Sequence, residues 1–184
     1  MSGQTRSNIT AGAAPGSTAS VRVLGVDPGL SGGLALLDRD TGLVDAVAFP
    51  LHVVNKKTRI DGARLAAIVE LFSPSVAFVE AVAGRPRQAG QFQFGVNAGL
   101  VHGVLHALGV PFELVSPTVW KAAFGIRRTQ DETKADKKTE ARRVASVAFP
   151  SHAERFKRVK DDGVAEAALL ALYGLKKLHV KARS

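Results

Sequence analysis

The sequence predicts an α/β domain built on a five-stranded mixed sheet flanked by helices. Three observations point there. Three apolar runs rich in Val and Leu follow one another between residues 21 and 50, separated only by short glycine-containing turns. Helical and strand-like segments then alternate. Three helical segments close the chain.

The elements follow in order. "VRVLGVD" (21–27) is a Val-rich strand, "GGLALLD" the second, and "LVDAVAFP" (43–50) the third. Such close spacing makes an antiparallel meander. "DGARLAAIVELF" places Leu65, Ile68, Val69 and Phe72 at helical spacing. "SVAFVE" follows a helix, so it is expected to pair parallel with an earlier strand. "QFGVNAGLVHGVLHALG" is a long helix carrying Gly95, Gly99 and Gly103 on one face. Each glycine costs helix stability, which predicts close approach of another backbone, from the sheet or a second chain. "PFELVS" is the fifth strand. "SPTVWKAAFG" begins a helix with Ser as cap and Pro at the first position. The helix around 132–149 should turn Ala141, Val144, Ala145 and Ala148 inward and its bases outward. The last helix is apolar on Val164, Ala167, Ala168, Ala171 and Leu175. The order βββ-α-β-α-β-α-α-α is the plan of the ribonuclease H-like fold.

With 184 residues the chain suits one domain, expected over 21–184. Residues 1–20 are small and polar, and are expected to be a disordered arm. This arm weakly resembles an organellar transit peptide, although it holds a single Arg. There is no cysteine, which excludes disulfides and thiolate metal sites. No apolar run approaches the roughly 18 residues of a membrane span, so no membrane partner is expected. The formal net charge of +9 points to a polyanion, most simply nucleic acid. Of the 25 Lys and Arg, 18 lie from Arg85 onward, in several clusters that only a fold can join into one surface.

The informative acids sit at element ends. Asp27 ends the first strand and Glu80 the fourth, each after an apolar run where an unpaired acid is costly. Asp162 and Glu166 open the last helix four residues apart, on one face. Asp161 is about 140° round from Glu166 and shares that face less well. Each acid also has a plainer reading. Asp27 before Pro-Gly suits a turn, Glu80 a solvated strand end, and Asp161, Asp162 or Glu166 a helix start. Taken together, acids converging at one edge of a sheet suit divalent cations with oxygen ligands, Mg²⁺ or Mn²⁺. Two such ions about 4 Å apart activate water and stabilise the leaving oxygen of a phosphodiester.

"LGVDPGLSGGLALLD", "VAFVEA", "SPTVWK" and "KDDGVAEAALLALYG", in that order, resemble the RuvC-type Holliday junction resolvases, most of all the phage and plant chloroplast branch. The resemblance spans about residues 21–178. It implies a homodimer that cuts four-way branched DNA symmetrically with a pair of Mg²⁺ ions, Mn²⁺ substituting, and leaves 5′-phosphate and 3′-hydroxyl ends. It implies Asp27, Glu80, Asp162 and Glu166 as metal-binding and catalytic acids, with Asp27 bridging the ions and Asp161 the rival to Asp162. Many such sequences space the last two acids three apart. Here Gly163 stands between and the spacing is four. Lys121 matches a family lysine near the scissile phosphate, where it would steady developing charge. Its plainer role is a helix-face lysine. The segment after Glu80, "AVAGRPRQAGQFQFG", matches the family region that approaches the junction centre, with Arg85 and Arg87 as phosphate clamps and Phe92 or Phe94 as a base-stacking ring. A Phe opening a helix is also commonly core. The remaining DNA contacts are expected at Arg127, Arg128, Lys134, Lys137, Lys138, Lys157 and Lys160.

Three rivals share parts of this pattern. An actin-like sugar kinase also has Asp and a glycine-rich turn after its first strand, but needs two lobes and a much longer chain. A YqgF-type RNA-processing nuclease shares the fold; the basic helix from Lys134 and the Trp120-Lys121 pair favour the DNA resolvases. A non-catalytic junction-binding protein would have no use for the full set of acids. The expected location is the cytoplasm or nucleoid of a bacterium or phage-infected cell, with a chloroplast or mitochondrion as the alternative.

Overall fold

The structure, a computed structural model, describes residues 20–81, 91–126 and 134–181. Residues 1–19 of the expected arm lie outside them, as do Arg85, Arg87, Arg127 and Arg128.

The meander is present as β1 (Arg22–Asp27), β2 (Gly33–Asp38) and β3 (Gly42–Ala48). β6 (Val76–Glu80) pairs parallel with β1, and β7 (Phe112–Val115) parallel with β6. The sheet order is β3-β2-β1-β6-β7, the mixed five-stranded sheet the sequence predicts. Both faces are covered, which is why β1 and β6 read as continuous apolar runs. Leu24, Val26, Ala77 and Val79 pack with α1 (Gly62–Phe72) and α2 (Gln91–Ala107). Val23 and Phe78 face α4 (Lys134–Ala148) and α5 (Asp162–Lys181). α3 (Pro117–Ala123) follows β7 directly.

α5 sits very close to the sheet. A Cβ at Gly25 would lie 2.0 Å from the Ala167 carbonyl oxygen, and one at Gly174 2.2 Å from the Phe78 ring. Even Ala at Gly25 would push the helix off β1. Its apolar positions Val164, Ala167, Ala168, Ala171 and Leu175 are buried as expected, and Leu169 and Leu170 with them.

Four expectations change. In α4, Ala141 and Ala145 are buried, but Ala148 is exposed and Phe149, just past the helix, fills the core instead. Ser116 stands at the cap position of α3 without a capping side-chain bond; Pro at the first turn carries that helix start. A Cβ at Gly95, Gly99 or Gly103 would meet nothing within 4 Å, so this face of α2 does not pack on the sheet. Finally, residues 51–60 form a hairpin the sequence reading missed. β4 (Leu51–Val54) pairs antiparallel with β5 (Lys57–Ile60) around Asn55 and Lys56, at φ 50° and 61°. Positive φ at both central residues is the hairpin turn that Asn-Gly usually makes. Asn55 suits it, whereas Lys56 holds a left-handed conformation at a cost of about 1–2 kcal/mol.

Candidate active site

The sheet topology brings the strand-end acids together. β1 and β6 run parallel in the register Val26↔Val79, so Asp27 and Glu80 follow side by side at one edge. Glu80 is also opposite Val115, the last residue of β7, and so α3 begins next to it. From the other side, α5 crosses β1 and delivers Glu166.

Gly163 explains the four-residue spacing. It bridges to Gly32 in the turn after Asp27, and a Cβ there would lie 2.2 Å from the Ser31 carbonyl oxygen. No side chain fits at 163, so an acid three residues before Glu166 is excluded by backbone contact. The nearest position on the same face is Asp162.

α3 adds two groups to the acids. Trp120 is fully buried, and its indole Nε1 donates to Glu80 Oε2 at 2.9 Å. Lys121 Nζ donates to Glu166 Oε1 at 2.8 Å and lies 4.9 Å from the centre of the Trp120 ring. Asp27 Oδ1 accepts from the Gly29 amide at 3.2 Å, which tightens the turn behind it. The electrostatics follow. Burial pushes the Glu80 carboxyl up to about 7, aided by repulsion from Asp27 and Glu166; Lys121 and the Trp120 bond oppose this without cancelling it. Burial works against the charge on Lys121, but Glu166, and then Glu80 and Asp27, outweigh it and hold the ammonium above its usual range.

The two aspartates at the start of α5 have arginine partners. Asp161 Oδ2 accepts from the Arg158 backbone N–H and Nε, both at 3.0 Å, and Oδ1 from Nη2 at 3.1 Å. Burial opposes its charge, yet the Arg158 bonds keep its carboxyl below the usual range. It caps the 3₁₀ turn Val159–Asp161. Asp162, 4% exposed, lies with Oδ1 2.9 Å from Arg142 Nε. Arg142 also donates to the Lys157 carbonyl at 3.1 Å and to Thr139 Oγ1 at 3.1 Å. It is thus largely buried, not on the outward face expected of the α4 bases.

The structure therefore gathers Asp27, Glu80, Glu166 and Lys121, with Trp120 as a member the sequence reading passed over. A buried indole needs an acceptor, and its place beside Lys121 was the available signal. Among the described residues no three acids or histidines stand close enough to enclose an ion as they are. The Lys121 ammonium supplies positive charge among them, and Arg142 holds Asp162. The chemistry of the donors nevertheless fits a hard divalent cation: several carboxylate oxygens, partly buried, with Asp27 and Glu166 repelling Glu80.

Several of the expected DNA contacts fall within the described residues. Phe92 opens α2 and is 86% exposed. Phe94 is half-buried near Gly29. Lys157 and Lys160 are exposed, the former paired with Glu154. Lys134, Lys137 and Lys138 lie in the first turns of α4.

Strand order, pairing and helix placement define a ribonuclease H-like fold. Among solved structures, the chain is similar to Thermus thermophilus RuvC in complex with a Holliday junction substrate, at 18% identity and a TM-score of 0.57, over 86% of this chain and 96% of that one. It is likewise similar to a second structure of Thermus thermophilus RuvC, at 20% identity and a TM-score of 0.50, over 85% and 97%. No family model and no curated protein matches the sequence. No helix of the described residues is long and apolar enough to cross a membrane.

Proposed function

We propose that this chain is a metal-dependent, structure-selective endonuclease that cuts four-way DNA junctions as a homodimer. The observation that carries this reading is the carboxylate cluster Asp27, Glu80 and Glu166, with Lys121 inside it, at the strand ends of a RuvC-type fold. Asp27, Glu80 and Glu166, with Asp162 as the fourth acid, would hold a pair of Mg²⁺ ions, Mn²⁺ substituting. Bound there, the ions supply an activated water and charge neutralisation at the scissile phosphate. Trp120 fixes the direction of one Glu80 oxygen and excludes water behind it. Lys121, already drawn to the carboxylates, turns its ammonium to a phosphate oxygen and steadies the charge that develops there. In-line attack leaves a 5′-phosphate and a 3′-hydroxyl. The basic balance of the chain supports a polyanionic substrate.

The test incubates the protein with a labelled four-way junction and with a linear duplex of the same sequence, in Mg²⁺ and in EDTA. Symmetric cutting of the junction in Mg²⁺ alone is expected. Equal cutting of both substrates, or cutting in EDTA, overturns the reading.

A further inference from the structure

The β4–β5 hairpin leaves the sheet at its acid-bearing edge. Ala48, the last residue of β3, is paired with Gly33, and Gly33 with Asp27. Its base is tied down: the Asp61 amide donates to the Pro50 carbonyl at 2.8 Å, and Ile60 and Phe49 are buried in the core with Leu65. Beyond the base its two strands pair only with each other. Cross-strand partners share a face of the ribbon. Leu51, Val53, Thr58 and Ile60 therefore form one face, anchored through Ile60. His52, Val54, Lys57 and Arg59 form the other, turned away from the core. Lys56 stands at the tip, where glycine would be less strained. The segment 51–60 holds three Lys or Arg and no acid.

We infer that this hairpin is a DNA-binding arm, which lays its basic face and tip along the phosphate backbone of one duplex arm of the branched substrate. The inference rests on the nuclease reading above. A rigid two-stranded ribbon of this width suits a DNA groove. Its cations act as backbone contacts, which position the duplex without reading sequence. The hairpin base lies on the same edge as the acids, so an arm held there would be presented to the cluster.

The experiment measures binding of a labelled four-way junction in EDTA across a salt series, for wild type, K56G and K56A/K57A/R59A. Each lost phosphate contact should lower the salt slope by about 0.9. The triple variant is expected to bind about tenfold or more weakly near 0.1 M salt, with its slope reduced by about 2–3. K56G relaxes the turn, so it should melt higher than wild type yet bind more weakly with a shallower slope, a result misfolding cannot produce. Unchanged affinity and slope in a wild type that cuts junctions refute the arm alone. A shift from dimer to monomer at unchanged junction affinity makes the hairpin a protein contact and also refutes it. A wild type that neither binds nor cuts junctions refutes the nuclease reading, and the arm with it.

Discussion

Asp161 and Asp162 each face a guanidinium, Arg158 and Arg142. Asp27, Glu80 and Glu166 are gathered one helical turn away, with Lys121 bonded to Glu166, and Glu80 has a carboxyl pushed up to about 7. Both groups of acids are partly or fully buried, so the difference lies in how their charge is compensated. Each aspartate lies against an arginine, and Asp161 caps the turn that leads into α5. At the strand ends Glu80 is raised by burial and by its neighbouring carboxylates, and an added cation would stabilise its charged form.

This contrast can be broken at several points. The largest effect is expected at the strand-end cluster. D27N and E80Q should lower Mg²⁺-dependent junction cutting to below about a thousandth of wild type while junction affinity in EDTA is kept. Retention of normal cutting by either variant would remove its residue from the metal set. K121A should slow cleavage about a hundredfold with little loss of affinity; mainly weakened binding would make Lys121 a simple phosphate contact.

The Asp162–Arg142 contact should show itself in stability. R142A removes the guanidinium that lies against buried Asp162 and should cost about 3–5 kcal/mol in chemical denaturation. Loss of under about 1 kcal/mol would show that the pair adds nothing. Because burial and neighbouring carboxylates disfavour the charge on Glu80, added Mg²⁺ should raise the melting temperature of wild type and not of E80Q.

The pH dependence separates the two groups further. An unperturbed glutamic acid loses its proton near 4.5, whereas folded Glu80 does so near 7. Between those values the folded state binds the extra proton. Metal-free stability should therefore fall as pH rises through that window, by about 3 kcal/mol from this residue. E80Q should flatten the slope in urea denaturation across pH 4–8. The smallest effect is expected from W120F, which removes the indole donor and retains most of the packing. It should cost about 1–2 kcal/mol and move the Glu80 midpoint higher still. An unmoved midpoint would deny Trp120 its part in orienting Glu80.

Much of the sheet was legible because β1 and β6 are buried on both faces and carry continuous apolar runs. Asp27 and Glu80 stood out for the same reason, as acids ending runs that should not tolerate them. Glu166 followed from helix spacing. The hairpin was not legible. "LHVVNKKTRI" lacks an Asn-Gly turn, and its exposed strands alternate weakly. Phe149 took the core place expected of Ala148: it stands four residues after buried Ala145, on the same side of the chain as Ala141 and Ala145. Arg142 read as one more outward base, since a buried guanidinium depends on a partner distant in sequence. The role of Gly163 depended on contact with Gly32, which spacing alone cannot show.

The most direct measurement is an NMR titration of the Glu80 side-chain carboxyl in metal-free protein and again in saturating Mg²⁺. A midpoint near 7 without metal, falling by more than about one unit with it, is the predicted result. An ordinary carboxylate midpoint that does not respond to Mg²⁺ would contradict the proposal that Glu80 belongs to a divalent-cation site.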